Sequence, residues 1–319
     1  MSLVTRARPS TVGRRAVLAV VAAVVLWSAS SLFVRAGESD ALVFTTYRLW
    51  FALPPLAVAA YWRGRRAPSR RLFPVGVSKA RWVVIMFGAG AFFVSGAATA
   101  FAALGMTRLL DVTLIGALSP ILVIAYAVAF LGERVQSRHL VRAAIAIAGT
   151  IIVATAASSS GSWSLAGDIV AVISLILNSG WFLYGRVIRT RYEIDPISFM
   201  LGTLLCAAIL ITPIALIAHG DLSISHRGLF FAACTMVSGT TAHVLMTWAH
   251  RYVPTSISSP LLLAEPPIVA AGAWIFFGES VTALEAIGSA VVVGSLWGVV
   301  RSEDLEQIEH DAPDPVPPV

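Results

Sequence analysis

The chain has 319 residues, of which 57% are hydrophobic and only 13% are charged, and its mean hydropathy is +0.82. About a quarter of the residues in a soluble domain are charged. This composition therefore excludes a soluble enzyme or binding module and indicates a chain that lies mostly in a lipid bilayer. The net charge of +6 does not indicate a nucleic-acid partner, because the basic residues lie between apolar segments and not along one face of a folded domain.

Ten apolar segments of about 20 residues, the length that crosses a bilayer as a helix, follow one another along the chain. The first five are predicted near 16–35, 41–62, 82–104, 110–131 and 139–157, and the second five near 165–188, 197–218, 228–249, 256–277 and 281–300. A basic tail, 1–15, and an acidic tail, 301–319, are predicted to be disordered. The sequence thus predicts an all-α integral membrane protein with ten transmembrane helices.

The basic residues predict how these segments are oriented. If the amino terminus is cytoplasmic, 19 of the 23 Lys and Arg residues fall on the cytoplasmic side of the membrane. Positively charged loops stay on that side. We therefore predict a multi-pass protein of the inner (plasma) membrane with both termini in the cytoplasm.

The two halves of the chain resemble each other. The segment LSPILVIAYAVAFLGERV (118–135) aligns with AEPPIVAAGAWIFFGESV (264–281) at a constant offset. A repeated unit with an odd number of spans inserts its second copy upside down. The sequence therefore predicts two inverted five-helix repeats, 16–158 and 164–300. The aligned pairs are Pro120 with Pro266, Glu133 with Glu279, Asp40 with Asp195, and Arg35 with Arg186.

These features resemble the EamA-type, ten-helix members of the drug/metabolite transporter superfamily, over about residues 16 to 300. The resemblance is carried by the two P-x12-E endings of spans four and nine, by Arg48 in span two and by Trp27 in span one. It implies two inverted repeats around a central cavity. It does not imply a substrate, because members of the family carry amino acids, other metabolites and drugs.

Glu265 and His243 are the first candidates for substrate binding or coupling. Each is predicted about 10 to 14 Å above the cytoplasmic face, on spans that are adjacent in sequence. An ionisable residue at that depth indicates a function, the alternative being a buried polar residue with satisfied hydrogen bonds. Glu265 is the only acidic residue deep within a predicted span.

Four further candidates follow from the inverted repeat. The mate of Glu265 is Ser119, and one face of span four continues from Ser119 to Tyr126. Trp27 and its mate Asn178 are predicted to meet across the same centre. Together they predict a mostly apolar and aromatic cavity with few polar groups, as small-molecule sites usually are.

Arg48 is a seventh candidate, about 10 Å below the outer surface. It is either a structural anchor, with Asp111 as its partner, or a solute ligand. Pro120 and Pro266 mark either a packing kink or a functional break in their spans. Glu133 and Glu279 lie where spans four and nine meet water, so we assign them to helix capping or anchoring and leave them outside the site.

The sequence and the resemblance together predict a secondary active transporter that exports amino acids or other small metabolites by alternating access. No Walker A motif is present to bind ATP, so the energy comes from a gradient or from the solute's own concentration difference. We expect no catalytic residue, metal or cofactor. The direction is implied by the resemblance alone, and proton coupling and a monomeric or homodimeric state stay open.

The sequence leaves two other classes of protein as alternatives. An intramembrane enzyme would need a metal pair such as H-E-x-x-H or a nucleophile in G-x-S-x-G, and the sequence contains neither motif. A membrane scaffold or receptor without transport activity is the other alternative. The inverted repeat argues against it, because that symmetry is what interconverting inward and outward states require.

Overall fold

A computed structural model of the chain describes residues 11–66, 77–107, 112, 115–132, 137–156, 164–192, 194–250, 252–253, 255–278 and 281–300. Several sequence predictions fall outside these described residues. They are the tail at 301–319, most of the tail at 1–15, and the assignments made for Asp111, Glu133 and Glu279.

The described chain is helical throughout. The first half contains α1 (Thr11–Gly37), α2 (Ala41–Arg66), α3 (Lys79–Met106), α4 (Ser119–Leu131) and α5 (Ser137–Ala156). The second half contains α6 (Leu165–Tyr192), α7 (Pro196–His219), α8 (His226–Ala249), α9 (Thr255–Leu261), a 3₁₀ turn (Leu262–Ala264), α10 (Glu265–Phe277) and α11 (Ala283–Val300).

Ten of the predicted spans can be followed in this structure. Seven stretches of helix are long and apolar enough to cross a membrane, with α9, the 3₁₀ turn and α10 forming one of them. Three shorter apolar helices, Ser119–Phe130, Leu140–Val153 and Ala283–Trp297, occupy the positions of spans four, five and ten. Large apolar side chains such as Phe130, Ile217 and Phe276 point outward, as lipid-facing residues do. The prediction of an all-α membrane protein is confirmed.

Spans four and nine are both interrupted at the same aligned position. In span four a turn at residues 117–118 precedes α4, and in span nine the 3₁₀ turn precedes α10. Pro120 and Pro266 are each the second residue of the helix that follows. A proline fits there because the first-turn N–H groups have no partner within the helix. The prolines therefore lie at the start of new half-helices in both spans.

Contacts between the two halves occur in related pairs, as an inverted repeat requires. The first span of each half packs along the third span of the other half, α1 on α8 and α6 on α3. The first span also contacts the broken fourth span of the other half, α1 on α10 and α6 on α4. The second spans, α2 and α7, pack on each other, and so do the fifth spans, α5 and α11.

Two aligned aspartates show the same symmetry at the level of side chains. Asp40 precedes α2 and Asp195 precedes α7, and each carboxylate accepts hydrogen bonds from two backbone N–H groups of the following first turn. The Oδ1 atom of Asp40 also lies 3.0 Å from the Nε2 atom of His219 at the end of α7. Asp195 makes the related contact, an ion pair with Arg63 at the end of α2, also at 3.0 Å.

The fifth spans approach so closely that only glycine fits at their contact. A Cβ atom added at Gly288 of α11 would lie 2.8 Å from the carbonyl oxygen of Gly149 on α5. A Cβ atom added at Gly149 would lie 2.8 Å from Val292. Gly294, two turns further along α11, has nothing within 4 Å of its added Cβ atom.

This contact predicts different effects of the same substitution at two positions of α11. Gly288→Ala should lower the free energy of unfolding by about 1 to 3 kcal/mol, because the new methyl group overlaps backbone that cannot move aside. Gly294→Ala should leave stability unchanged or raise it by up to about 1 kcal/mol, because alanine favours the helix. Thermal unfolding of the purified variants, followed by circular dichroism, measures both. Equal shifts for the two variants would contradict the close approach of α5 and α11.

Candidate functional site

His243 of α8 is enclosed by aromatic rings where α1, α3, α6 and α8 meet. Its ring centroid lies 5.0 Å from that of Trp27, 5.2 Å from Phe93 and 5.3 Å from Trp181, and each contact is edge to face. Such T-shaped contacts are the favoured geometry of ring pairs. We call Trp27, Phe93, Trp181, Phe182 and His243 the aromatic cluster.

The Nδ1 atom of His243 is buried and has no hydrogen-bond partner among the described residues. A buried polar atom left unpaired costs about 1 to 3 kcal/mol, and apolar rings surround it on three sides. A position that carries such a cost is a place where a ligand can supply the missing partner.

Glu265 is the first residue of α10, at the break in span nine. The Ser31 hydroxyl of α1 donates a hydrogen bond to Oε1 of Glu265, with 3.0 Å between the oxygens. Ser31 is one turn along α1 from Trp27, so the carboxylate is held by the same helix that contributes to the aromatic cluster. Among the described residues no basic side chain forms an ion pair with Glu265, and its carboxylate is bonded to Ser31.

Ser119, the mate of Glu265, is the first residue of α4 and makes the related contact. Its hydroxyl oxygen lies 3.3 Å from that of Ser179 on α6. Each broken fourth span therefore begins with a side chain that bonds to a serine on the first span of the other half. This pair of contacts joins the two repeats at both breaks.

Asn178 lies on α6 but faces α3. Its Nδ2 atom donates to the carbonyl and the hydroxyl oxygens of Ser174, at 3.0 and 3.1 Å. A Cβ atom at Gly96 of α3 would fall 2.7 Å from the Asn178 Oδ1 atom, so the absence of a side chain at residue 96 makes room for the amide. The ring of Trp27 contacts Phe182, which lies one turn further along α6 than Asn178, and it also contacts His243.

Arg48 and Tyr126 have different surroundings. Arg48 of α2 points into the bundle beside Gly239 of α8, one turn before His243. Next to it the hydroxyl oxygens of Ser30 and Ser238 lie 2.7 Å apart. Tyr126 packs on Phe130 of its own helix, with 6.3 Å between the ring centroids, and Phe130 is 71% exposed.

The structure thus brings Trp27, His243 and Arg48 to one region around α8. Glu265 of α10 contacts α1 at Ser31, one helix turn from Trp27. The structure also identifies Phe93, Trp181, Phe182 and Ser31, which the sequence analysis did not select. A helical spacing of four residues could have indicated two of them, since Ser31 follows Trp27 and Phe182 follows Asn178 at that interval.

The architecture defines an all-α membrane protein built from two repeats whose fourth spans are broken before a proline. The chain belongs to the EamA-like transporter family, whose model matches once in each half, at residues 14–155 and 165–301.

A solved structure described as "Crystal structure of protein" has the same fold. It superimposes with a TM-score of 0.73 over 92% of this chain and 98% of that chain, at 19% sequence identity. At this level of identity the likeness shows the fold alone. No curated protein sequence matches the chain significantly.

The unpaired His243 nitrogen predicts an unusual response to substitution. His243→Leu should raise the free energy of unfolding by about 1 to 2 kcal/mol, because it removes an unsatisfied polar atom from an aromatic surrounding, and it should reduce transport. His226→Leu is the matched control, since His226 is exposed at the first turn of the same helix and should change neither property. Thermal unfolding and a transport assay measure the two effects. A destabilised His243→Leu protein would show that the histidine is a structural residue.

Proposed function

We propose that the protein is a secondary active transporter that exports amino acids or other small metabolites by alternating access. The observation that carries this proposal is the hydrogen bond between Glu265 and Ser31. It joins a carboxylate at the broken end of a half-helix in one repeat to the first span of the other repeat. Discontinuous spans at a repeat interface are where transporters of this kind bind their solutes and coupling ions.

The chemistry of this contact links occupancy to conformation. The Glu265 carboxylate accepts a hydrogen bond from Ser31, and a proton or the cationic amino group of a solute competes for the same oxygen. Either one changes the contact between α10 and α1, and so changes how the two repeats are held together. The aromatic cluster next to Trp27 supplies apolar surface for the rest of a small solute.

Proton coupling and solute recognition predict different effects of Glu265→Gln. The amide keeps an oxygen that can accept from Ser31 but cannot carry a charge or exchange a proton. If Glu265 couples transport to protons, the variant should exchange solute down its gradient but fail to accumulate it. If Glu265 binds the solute directly, the variant should lose binding by ten-fold or more.

The measurement begins with a comparison of intracellular metabolite pools with and without overexpression, which identifies a transported solute. Accumulation and exchange of that solute are then followed in vesicles at pH 6 to 8. Glu285→Gln is the control, because Glu285 lies in the first turn of α11 but bonds to Thr282 at the exposed end of the helix. Wild-type accumulation by Glu265→Gln over this pH range would assign Glu265 a structural role.

We propose that the protein lies in the inner membrane with both termini in the cytoplasm. In a background without Cys206 and Cys234, a cysteine at Asp221 should react with a membrane-impermeant maleimide in intact cells. A cysteine at Ser137 should react only after permeabilisation. Both positions are exposed, so access to the reagent depends on the side of the membrane. Labelling of Ser137→Cys in intact cells would reverse the assignment.

A further inference from the structure

An apolar cavity of about 160 Å³ lies between α1, the broken span nine and α11. Its floor is formed by Val24 of α1, Leu261 of α9 and Leu296 of α11, all of which are buried. Its rim is formed by Val293 and Trp297 of α11, which are 52% and 64% exposed. The cavity therefore opens past α11 onto the outer surface of the bundle. None of these residues belongs to the candidate site described above.

The cavity lies at the depth of the lipid tails. Val24 follows the start of α1 at Thr11 by about 20 Å, and Val293 follows the start of α11 at Ala283 by about 15 Å. Because the hydrocarbon core of a bilayer is about 30 Å thick, both residues lie well inside it. All the side chains that line the cavity are apolar, apart from the indole nitrogen of Trp297. Apolar cavities of about 150 Å³ stay dry even in soluble proteins and bind small apolar molecules.

The cavity runs along the break in span nine. Leu261 ends α9, Ala264 lies in the 3₁₀ turn, and Ile268 lies in the first turns of α10, and all three line the cavity. Further along α1 the two helices touch directly, because the Leu32 side chain packs over Gly272 of α10. A molecule in the cavity therefore contacts span nine on both sides of its break.

The surroundings of the cavity select a hydrocarbon chain as its occupant. Val293 and Trp297 belong both to the rim and to the exposed face of α11, so the cavity is continuous with the surface that touches lipid. A lipid tail does not gain by leaving other tails as such, since both surroundings are apolar. In a concave site, however, it makes van der Waals contacts on several sides, whereas an empty cavity leaves its lining atoms without partners.

We propose that this cavity binds one acyl chain of a membrane phospholipid, which packs across the break in span nine and stabilises the broken helix against α1. A ligand that binds this arrangement of the helices stabilises it in proportion to its occupancy. The inference does not depend on what the protein transports.

The experiment uses the purified full-length protein in detergent micelles, with dioleoylphosphatidylcholine as the probe. Thermal unfolding is recorded at increasing ratios of lipid to protein. The midpoint of the wild type should rise along a curve that saturates, as expected for a ligand that binds the folded state at one site. Glycerophosphocholine, which has the same headgroup but no acyl chains, should leave the midpoint unchanged.

Two neighbouring residues of α1 provide a matched pair of variants. Val24→Phe fills the cavity from its floor and should weaken the apparent affinity for the lipid by ten-fold or more. Val25→Phe makes the same change at the next residue, whose side chain is 47% exposed and lies outside the cavity. It should leave the affinity unchanged.

A second variant tests the cavity without a change in its buried floor. Val293→Phe narrows the opening from the exposed rim, where a larger side chain has room on the lipid side. It should also weaken the affinity by ten-fold or more. This variant decides the question if Val24→Phe does not fold.

Several outcomes would overturn the acyl-chain site. A response to lipid that does not saturate, or an equal loss of affinity in Val25→Phe, would indicate the general lipid layer around the protein. Wild-type affinity in Val293→Phe would also contradict it, as would stabilisation by glycerophosphocholine, which would indicate a headgroup site. A midpoint that rises with protein concentration at a fixed lipid ratio would identify a second copy of the chain as the occupant. The proposed transport function is untouched by each outcome, because the readout is lipid binding.

Discussion

In lipid, every backbone N–H and C=O group needs a hydrogen-bond partner within the protein, and this structure depends on that constraint. Spans four and nine depart from continuous helix at one aligned position each, directly before Pro120 and Pro266. Such breaks persist only where protein surrounds them. Here each break is covered by the first span of the other repeat, through Ser179 at Ser119 and through Ser31 at Glu265. The breaks therefore fix how the two repeats meet.

Helices α3 and α7 pack closely, and their contact differs in composition from the aromatic cluster. Small residues let the backbones approach, as in other membrane helix pairs. A Cβ atom at Gly90 of α3 would lie 2.6 Å from Cys206 of α7, and one at Gly202 of α7 would lie 2.4 Å from Met86 of α3. Where α1, α6 and α8 meet, large rings fill the space instead, and His243 lies among them.

The spans, the repeat and the positions of the breaks could be predicted because each depends on a pattern along the chain. The partners within the site depend instead on how each helix is rotated about its axis, and one residue of uncertainty at a boundary turns a helix by about 100°. The sequence therefore did not predict the ring contact of Trp27 with Phe182, one turn along α6 from Asn178, or that of Tyr126 with Phe130. Ser31 was not predicted as the partner of Glu265, because a serine inside a span has no signature in sequence that separates a ligand-facing hydroxyl from one bonded to its own helix.

A symmetric backbone with asymmetric residues explains how one site can hold the chemistry of the protein. Glu265 has a serine as its mate, so an acidic group exists at one break and not at the other. Arg186 lines a buried cavity beside His250, whereas its mate Arg35 lies over the ring of Phe277, 5.0 Å from its centroid. The alternating access that we propose requires such matched backbones, because each repeat then adopts the conformation of the other. The residues that break the symmetry therefore distinguish the two ends of the bundle.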